Sequence, residues 1–374
     1  MRRPSLRKFV KRVLILAACV FGLFVATIVV FFLRCSSTAL PPKPLSAAAQ
    51  QRRAITAGIK DYARPEEDTF ITYPEWYIVW SYQEKADYQE NHLPSGFAYF
   101  ASIARYWDGY CCAHRLTRGR YPFNVGDHVM LAVIGTSFSV EYAIKAAYEN
   151  TVGRFTEWIS GHDPAEEDRY AYQTARAYAD FVHIRPFYEF SFWKRFKGLW
   201  SETHFWGAHP IRKWERKIFL SIDYGVEALY CWVIEKGTHA SYGIEPSETY
   251  VWIDNATEDV FAQEPALRKV KPVGPGAFIA IIPRYQEFTD VAVRLARRNV
   301  HFVEIAGNDE IAFTVLAPSE WKPAAPGAEF LFSMPLATHP ETVRVAMRAP
   351  VSALHEVLNG LSGPGVRLEH IYDY

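Results

Sequence analysis

The sequence predicts an α+β protein: a single N-terminal transmembrane helix, an aromatic-rich and mainly helical middle domain, and a C-terminal ferredoxin-like (split βαβ) α+β domain. Three observations carry this. Residues 13–33 read VLILAACVFGLFVATIVVFFL, without a charge. Residues 61–268 place apolar side chains mainly at helical spacing, and residues 276–374 switch to short apolar runs separated by turn signals.

Composition narrows the class. Of 374 residues, 49% are hydrophobic and 22% charged, which excludes a disordered chain, a collagen-like chain and a small disulfide-dense scaffold. The 41 basic and 41 acidic residues cancel, so nucleic acid is not an expected partner. Aromatics reach 16%.

The neutral total hides an asymmetry. Residues 1–12 hold Arg2, Arg3, Arg7, Lys8, Lys11 and Arg12 and no acid, a basic tip of +6, so the other 362 residues sum to −6. A helix over the apolar run 13–33 would be about 30 Å long, the thickness of a bilayer's hydrocarbon core. It is longer than a signal-peptide core, and Phe31, Phe32, Leu33 and Arg34 replace a small-residue cleavage site. Residues 13–34 are therefore expected to be an uncleaved signal anchor. Its partner is the lipid bilayer through residues 13–33. Positive charge stays inside, so the N-terminus is expected in the cytoplasm and the body outside, periplasmic if the membrane is a bacterial inner membrane. Residues 35–60, with Pro41, Pro42 and Pro44 among Ser and Ala, read as a tether.

In the middle domain, Thr72, Tyr73, Pro74 and Glu75 form a capping-box pattern that starts a helix to about residue 88. Phe97, Phe100, Ile103, Ala104 and Trp107 mark a second helix, and 127–150 a third. Asp163 and Pro164 begin a fourth, with Glu166 and Glu167 in its first turn. A long one spans 210–235 and is expected to stop at Gly237. In the third helix Glu141 and Lys145 are four apart, as are Asp223 and Glu227 in the long one. Residues four apart share a helix face, so these are ion pairs or carboxylates and a lysine lining a cleft between two helices. They are the candidate catalytic residues if the protein is an enzyme.

Residues 186–200, PFYEFSFWKRFKGLW, place Phe187, Phe190, Trp193 and Trp200 near one helical face beside Lys194, Arg195 and Lys197. Aromatic and basic residues together suit a headgroup layer, so these seven are the candidate membrane-interface residues. Glu202, His204 and His209 match no metal-ligand spacing, and neither a metal nor a cofactor is expected. One of Cys111 and Cys112 could bond Cys231; buried free thiols are the alternative.

Beyond a Pro- and Gly-rich break at 270–276, strands are expected at 278–282, 300–305, 311–316, 329–336, 343–347 and 366–372, with helices around 288–295 and 354–361. The turn Gly307, Asn308, Asp309 is expected to close a hairpin. His355 and His370 read as isolated. The domains are then 61–268 and 276–374. With no catalytic motif in view, the expected function is that of a membrane-anchored binding or interaction body, touching lipid headgroups, an apolar ligand or membrane-protein partners. The alternative is a membrane-anchored enzyme using the carboxylate and lysine cluster.

Overall fold

A computed structural model of the chain describes residues 39–41, 47–241, 247–322 and 326–374, and isolated positions 11, 15, 22 and 26; for 237–241 it describes the backbone alone. Apart from those isolated positions, the expected basic tip and anchor lie outside the described residues.

The fold is α+β, a mostly helical N-terminal part followed by two four-stranded antiparallel sheets. The helices are α1 (Ala47–Thr56), α2 (Asp68–Ile71), α3 (Tyr73–Gln89), α4 (Tyr99–Thr117), α5 (Val125–Tyr148), α6 (Arg154–Ile159), α7 (Glu166–Val182), α8 (Phe192–Glu202) and α9 (Pro210–Ser241). A π-helical turn over Glu149–Gly153 joins α5 to α6, so the helix is continuous over Val125–Ile159. That stretch is long and apolar enough to cross a membrane by length and composition. It lies mid-chain, where the sequence placed no span.

Several expectations shift. Thr72 does not cap α3; its hydroxyl donates to the Asp68 carbonyl, because α2 runs almost directly into α3. The long helix does not stop at Gly237 but continues to Ser241, since an interior glycine weakens a helix by about 1 kcal/mol without ending it. Nor is the tether unpacked throughout. Leu40 is buried and its N–H donates to the Leu116 carbonyl, and α1 sends Arg52 to Glu304.

The first sheet contains β1 (Glu248–Asp254), β2 (Arg268–Gly274), β3 (Ala277–Pro283) and β4 (His301–Ile305), in spatial order β2-β3-β1-β4. Helix α10 (Glu258–Gln263) follows β1 and α11 (Tyr285–Arg297) follows β3. The second sheet contains β5 (Glu310–Pro318), β6 (Glu329–Pro335), β7 (Thr342–Pro350) and β8 (Arg367–Ile371), in order β6-β7-β5-β8, with α12 (Leu354–Gly360) before β8. The two orders correspond strand for strand.

The expected single sheet from residue 276 is therefore corrected to two, the first beginning inside the stretch expected to be helical. The break at 270–276 is mostly β2 itself. Pro272 lacks an N–H and is tolerated because β2 is an edge strand, bulged on both sides of Lys271 and Pro272. The expected hairpin across Gly307 is also corrected: β4 and β5 belong to different sheets, and the turn carries the chain between them. Gly307 holds φ at +74°, and a Cβ there would meet Ala63 at 2.7 Å.

β5 is buried on both faces. Ile311, Phe313 and Val315 pack toward α11 and α12, while Ala312, with Phe332 and Met334 of β6, joins the aromatic core around Tyr73 and Trp76 of α3. Across this second interface Arg344 of β7 holds Glu369 through two N–H groups, at 2.6 and 2.8 Å, and reaches Glu84 of α3 at 3.4 Å. Its guanidinium also lies 4.1 Å from the Trp80 ring. Arg344→Met leaves two buried carboxylates without their cation. It is expected to lower stability by about 3–5 kcal/mol in denaturant unfolding, with the helices and the second sheet losing structure together.

Candidate functional site

The α5 and α9 helices run antiparallel, and the pairing of Ser137 with Tyr230, Lys145 with Asp223, and Glu149 with Arg216 sets their register. Tyr148 and Phe219 stack at 3.8 Å between them. Close approach of α4 to α5 helps hold α5 in place: a Cβ on Gly135 would fall 2.0 Å from the Tyr106 ring. This register brings the four predicted residues together. Lys145 Nζ lies 2.8 Å from Glu141, 3.1 Å from Asp223 and 3.7 Å from Glu227. Tyr82 of α3 donates to Glu141 at 2.8 Å.

One ammonium thus faces three carboxylates in a site largely closed to water. Burial opposes the Lys145 charge, but Asp223, Glu141 and Glu227 outweigh it and hold its pKa well above the ordinary lysine value. Lys145 is therefore a fixed cation and not a free-amine nucleophile. Burial, then the Glu141 carboxylate, pushes Glu227 up to about 8. Lys85 of α3, which the sequence reading did not single out, is lowered to about 8 by burial and by the Lys145 charge. Glu227 and Lys85 border the same chamber.

Two cavities meet here. A small polar chamber of about 60 Å³ is lined by Lys85, Lys145, Asp223 and Arg216, with room for a few waters. A larger cavity of about 210 Å³ lies between α3, α5, α7 and α9, lined by Trp76, Phe138, Phe187 and Tyr230 among other aromatics. Tyr82, Glu141, Tyr178 and Glu227 border both and form the partition.

A second ionic cluster went unread in the sequence. Arg212, Lys213, Arg216 and Lys217 of α9 are all buried. Arg212 meets Asp168 at 2.7 Å, Lys213 meets Glu167 at 2.9 Å, and Arg216 meets Glu149 at 2.7 Å. Lys217 lies 3.4 Å from Glu167. The available signal was a basic pair repeated after four residues, with Glu166, Glu167 and Asp168 opening another helix. From the sequence, Glu166 and Glu167 read only as first-turn residues of that helix.

The other candidates separate. In residues 186–200 the helix begins only at Phe192, capped by Ser191, after a 3₁₀ turn over Phe187–Glu189. Phe190 is buried in a core with Tyr178 and Leu220, and Phe187 and Trp200 are half-buried against it. Lys194 and Lys197 are exposed, Arg195 lies over the Phe190 ring, and Trp193 is the exposed aromatic of the four. The expected continuous aromatic face is thus absent, because those rings fill the groove between α7 and α9. Cys111, Cys112 and Cys231 are buried, and Cys231 is bonded to neither of the other two. His204 pairs with Glu166 and His209 with Asp163. His355 and His370 are not isolated: His355 stacks on His301 at 3.8 Å, and His370 on Trp76 at 3.5 Å. Among the described residues no group of three or more His, Cys, Asp or Glu is arranged to hold a metal ion.

Comparison with protein-family models, curated proteins and solved structures finds no match for this chain.

Two outcomes are expected. Lys145→Met leaves the half-buried carboxyl groups of Glu141, Asp223 and Glu227 facing one another without a cation and lowers stability by about 3 kcal/mol in chemical unfolding. Glu227 favours the folded state while it is protonated. Its contribution is complete below the ordinary carboxyl range and is lost as pH rises through about 8. Glu227→Gln should accordingly melt higher than the parent at pH 8.5, with the gain gone by about pH 4.5, where both side chains are neutral. Equal melting differences at both pH values would refute the assignment.

Proposed function

We propose that the chain is a membrane-anchored binding protein whose extracytoplasmic body takes up an apolar or amphiphilic ligand. The carrying observation is the aromatic cavity of about 210 Å³ that ends on Glu141 and Glu227. It is larger than the roughly 150 Å³ at which a dry apolar cavity holds benzene. The aromatic walls suit a hydrocarbon or ring system, while the carboxyl pair and Tyr82 offer hydrogen bonds to one polar end.

In this reading residues 13–33 anchor the chain in the lipid bilayer, with the basic tip cytoplasmic and the body periplasmic or extracellular. Membrane proteins are the natural macromolecular partners. We assign each sheet with its helices to the split βαβ, ferredoxin-like class. The strand order supports this, as does the strand–helix–strand–strand–helix–strand sequence of residues 248–305. A second reading, an enzyme, is favoured by one observation: Glu227 exchanges its proton near neutral pH beside the fixed Lys145 charge, as a general acid–base group requires.

A homologous series of straight-chain alcohols and amines tests the binding reading through thermal unfolding. Entry into a cavity of fixed size raises the melting temperature with chain length up to a cut-off. Val79→Trp, which fills the cavity from α3, removes the effect. A response that grows without a cut-off, or that survives Val79→Trp, would mean surface adsorption and would overturn this reading.

A further inference from the structure

On α5 and α9 the usual arrangement of a surface helix is reversed. Over residues 126–147 of α5 every exposed residue is apolar or glycine, while Asp127, Glu141 and Lys145 turn away from the surface. Over residues 211–233 of α9 the exposed residues are again all apolar, and the seven charged side chains there are buried or half-buried. A helix that faces water carries its charges outward. Here Val133 is 60% exposed, Ile144 62%, Ile222 62%, Val226 60% and Leu229 61%. The two helices are paired side by side, and each presents such a row about 30 Å long, at roughly 1.5 Å per residue.

We propose that this face lies in the acyl layer of one membrane leaflet, with α5 and α9 parallel to the bilayer plane. Three observations select lipid as the occupant. First, the chain enters the body at Leu40, bound to the end of α4 just before α5 begins. Residues 34–39 alone separate that point from the apolar run 13–33. The seven steps from Leu33 to Leu40 span at most about 25 Å, so an anchored chain brings this edge of the body close to the membrane surface. Second, α8 packs against α9 through Trp200 and Phe192. It carries exposed Trp193, Lys194 and Lys197, the residue types that meet headgroups. Third, α7, behind the pair, exposes Arg169, Gln173 and Asp180. Charges there belong in water, so α5 does not cross the membrane despite its length: one side of the layer meets lipid and the other meets solvent.

The inference is independent of whether the aromatic cavity holds a ligand. It assigns membrane contact to α5 and α9, where the sequence pointed only to residues 13–33 and 187–200.

The test uses the full chain reconstituted in vesicles of phosphatidylethanolamine and phosphatidylglycerol. A diazirine analogue of leucine is placed singly at Val133, Ile144, Ile222 and Val226, and at Arg169 as the solvent-side control. After irradiation, the mass of a phospholipid should be added at the four face positions and not at Arg169. A covalent dimer would mean that a second copy covers the face. A link to a peptide from residues 13–33 would mean that the chain's own apolar run covers it. Water adducts alone would mean that it faces solvent. Any of these three results overturns the proposal.

Discussion

The inward turn of the charges on α5 and α9 is the constraint from which the rest of the helical part follows. Between them these helices place Glu141, Lys145, Glu149, Arg212, Lys213, Arg216, Lys217, Asp223 and Glu227 in the interior. Such groups cannot be buried alone, because desolvation costs several kcal/mol per ion. Each therefore requires a partner at one place, and the partners lie on the facing helix of the pair, on α6, on α7 and in the π turn after α5. A single antiparallel register of α5 against α9 satisfies them together. An ionic interior of this kind is weak evidence for high stability, since a well-packed apolar one could be as stable. Its consequence here is specificity of arrangement.

That register has effects on both sides of the helix pair. Inward, it sets Glu141 and Glu227 with Tyr82 and Tyr178 as the partition between a polar chamber and an aromatic cavity. Outward, it leaves only aliphatic and aromatic side chains. Burial, and then the excess negative charge around Lys145, explains why a carboxyl there keeps its proton to about pH 8. The same physics recurs between the helices and the second sheet, where Arg344 sits between Glu84 and Glu369. The helical part and the sheets are thus joined by a charged contact set inside an aromatic core.

Much of the local structure was legible. The helix starts near Pro74, Pro164 and Pro210 and the strands around Ile281, Phe302, Phe313 and Val345 follow from spacing and turn residues. Strand pairing was not legible. β1 reads as Glu-Thr-Tyr-Val-Trp-Ile-Asp, and the alternation of Thr249, Val251 and Ile253 was its available signal. β2 contains Pro272 and Gly274, which resemble a linker unless an edge position is known. The convergence of Glu141, Lys145, Asp223 and Glu227 could be framed from their spacing of four, because that spacing sets a shared face on each helix. The basic–aromatic stretch 186–200 was read as a surface because composition does not state which side of a helix is occupied.

The sequence by itself determined which residues share a helix face, which short runs become strands, and where an uncharged run long enough for a bilayer lies, since these depend only on local periodicity and charge. Tertiary structure alone decided which way each face points. A stripe of Glu and Lys at intervals of four is identical in sequence whether it meets water or a partner helix, and Phe190 is equally aromatic in a core or on a membrane. The direction follows from the pairing of distant charges, Lys145 with Asp223 and Arg212 with Asp168. It was that pairing, strong only once water is excluded, that turned the polar sides of α5 and α9 inward and their apolar sides out.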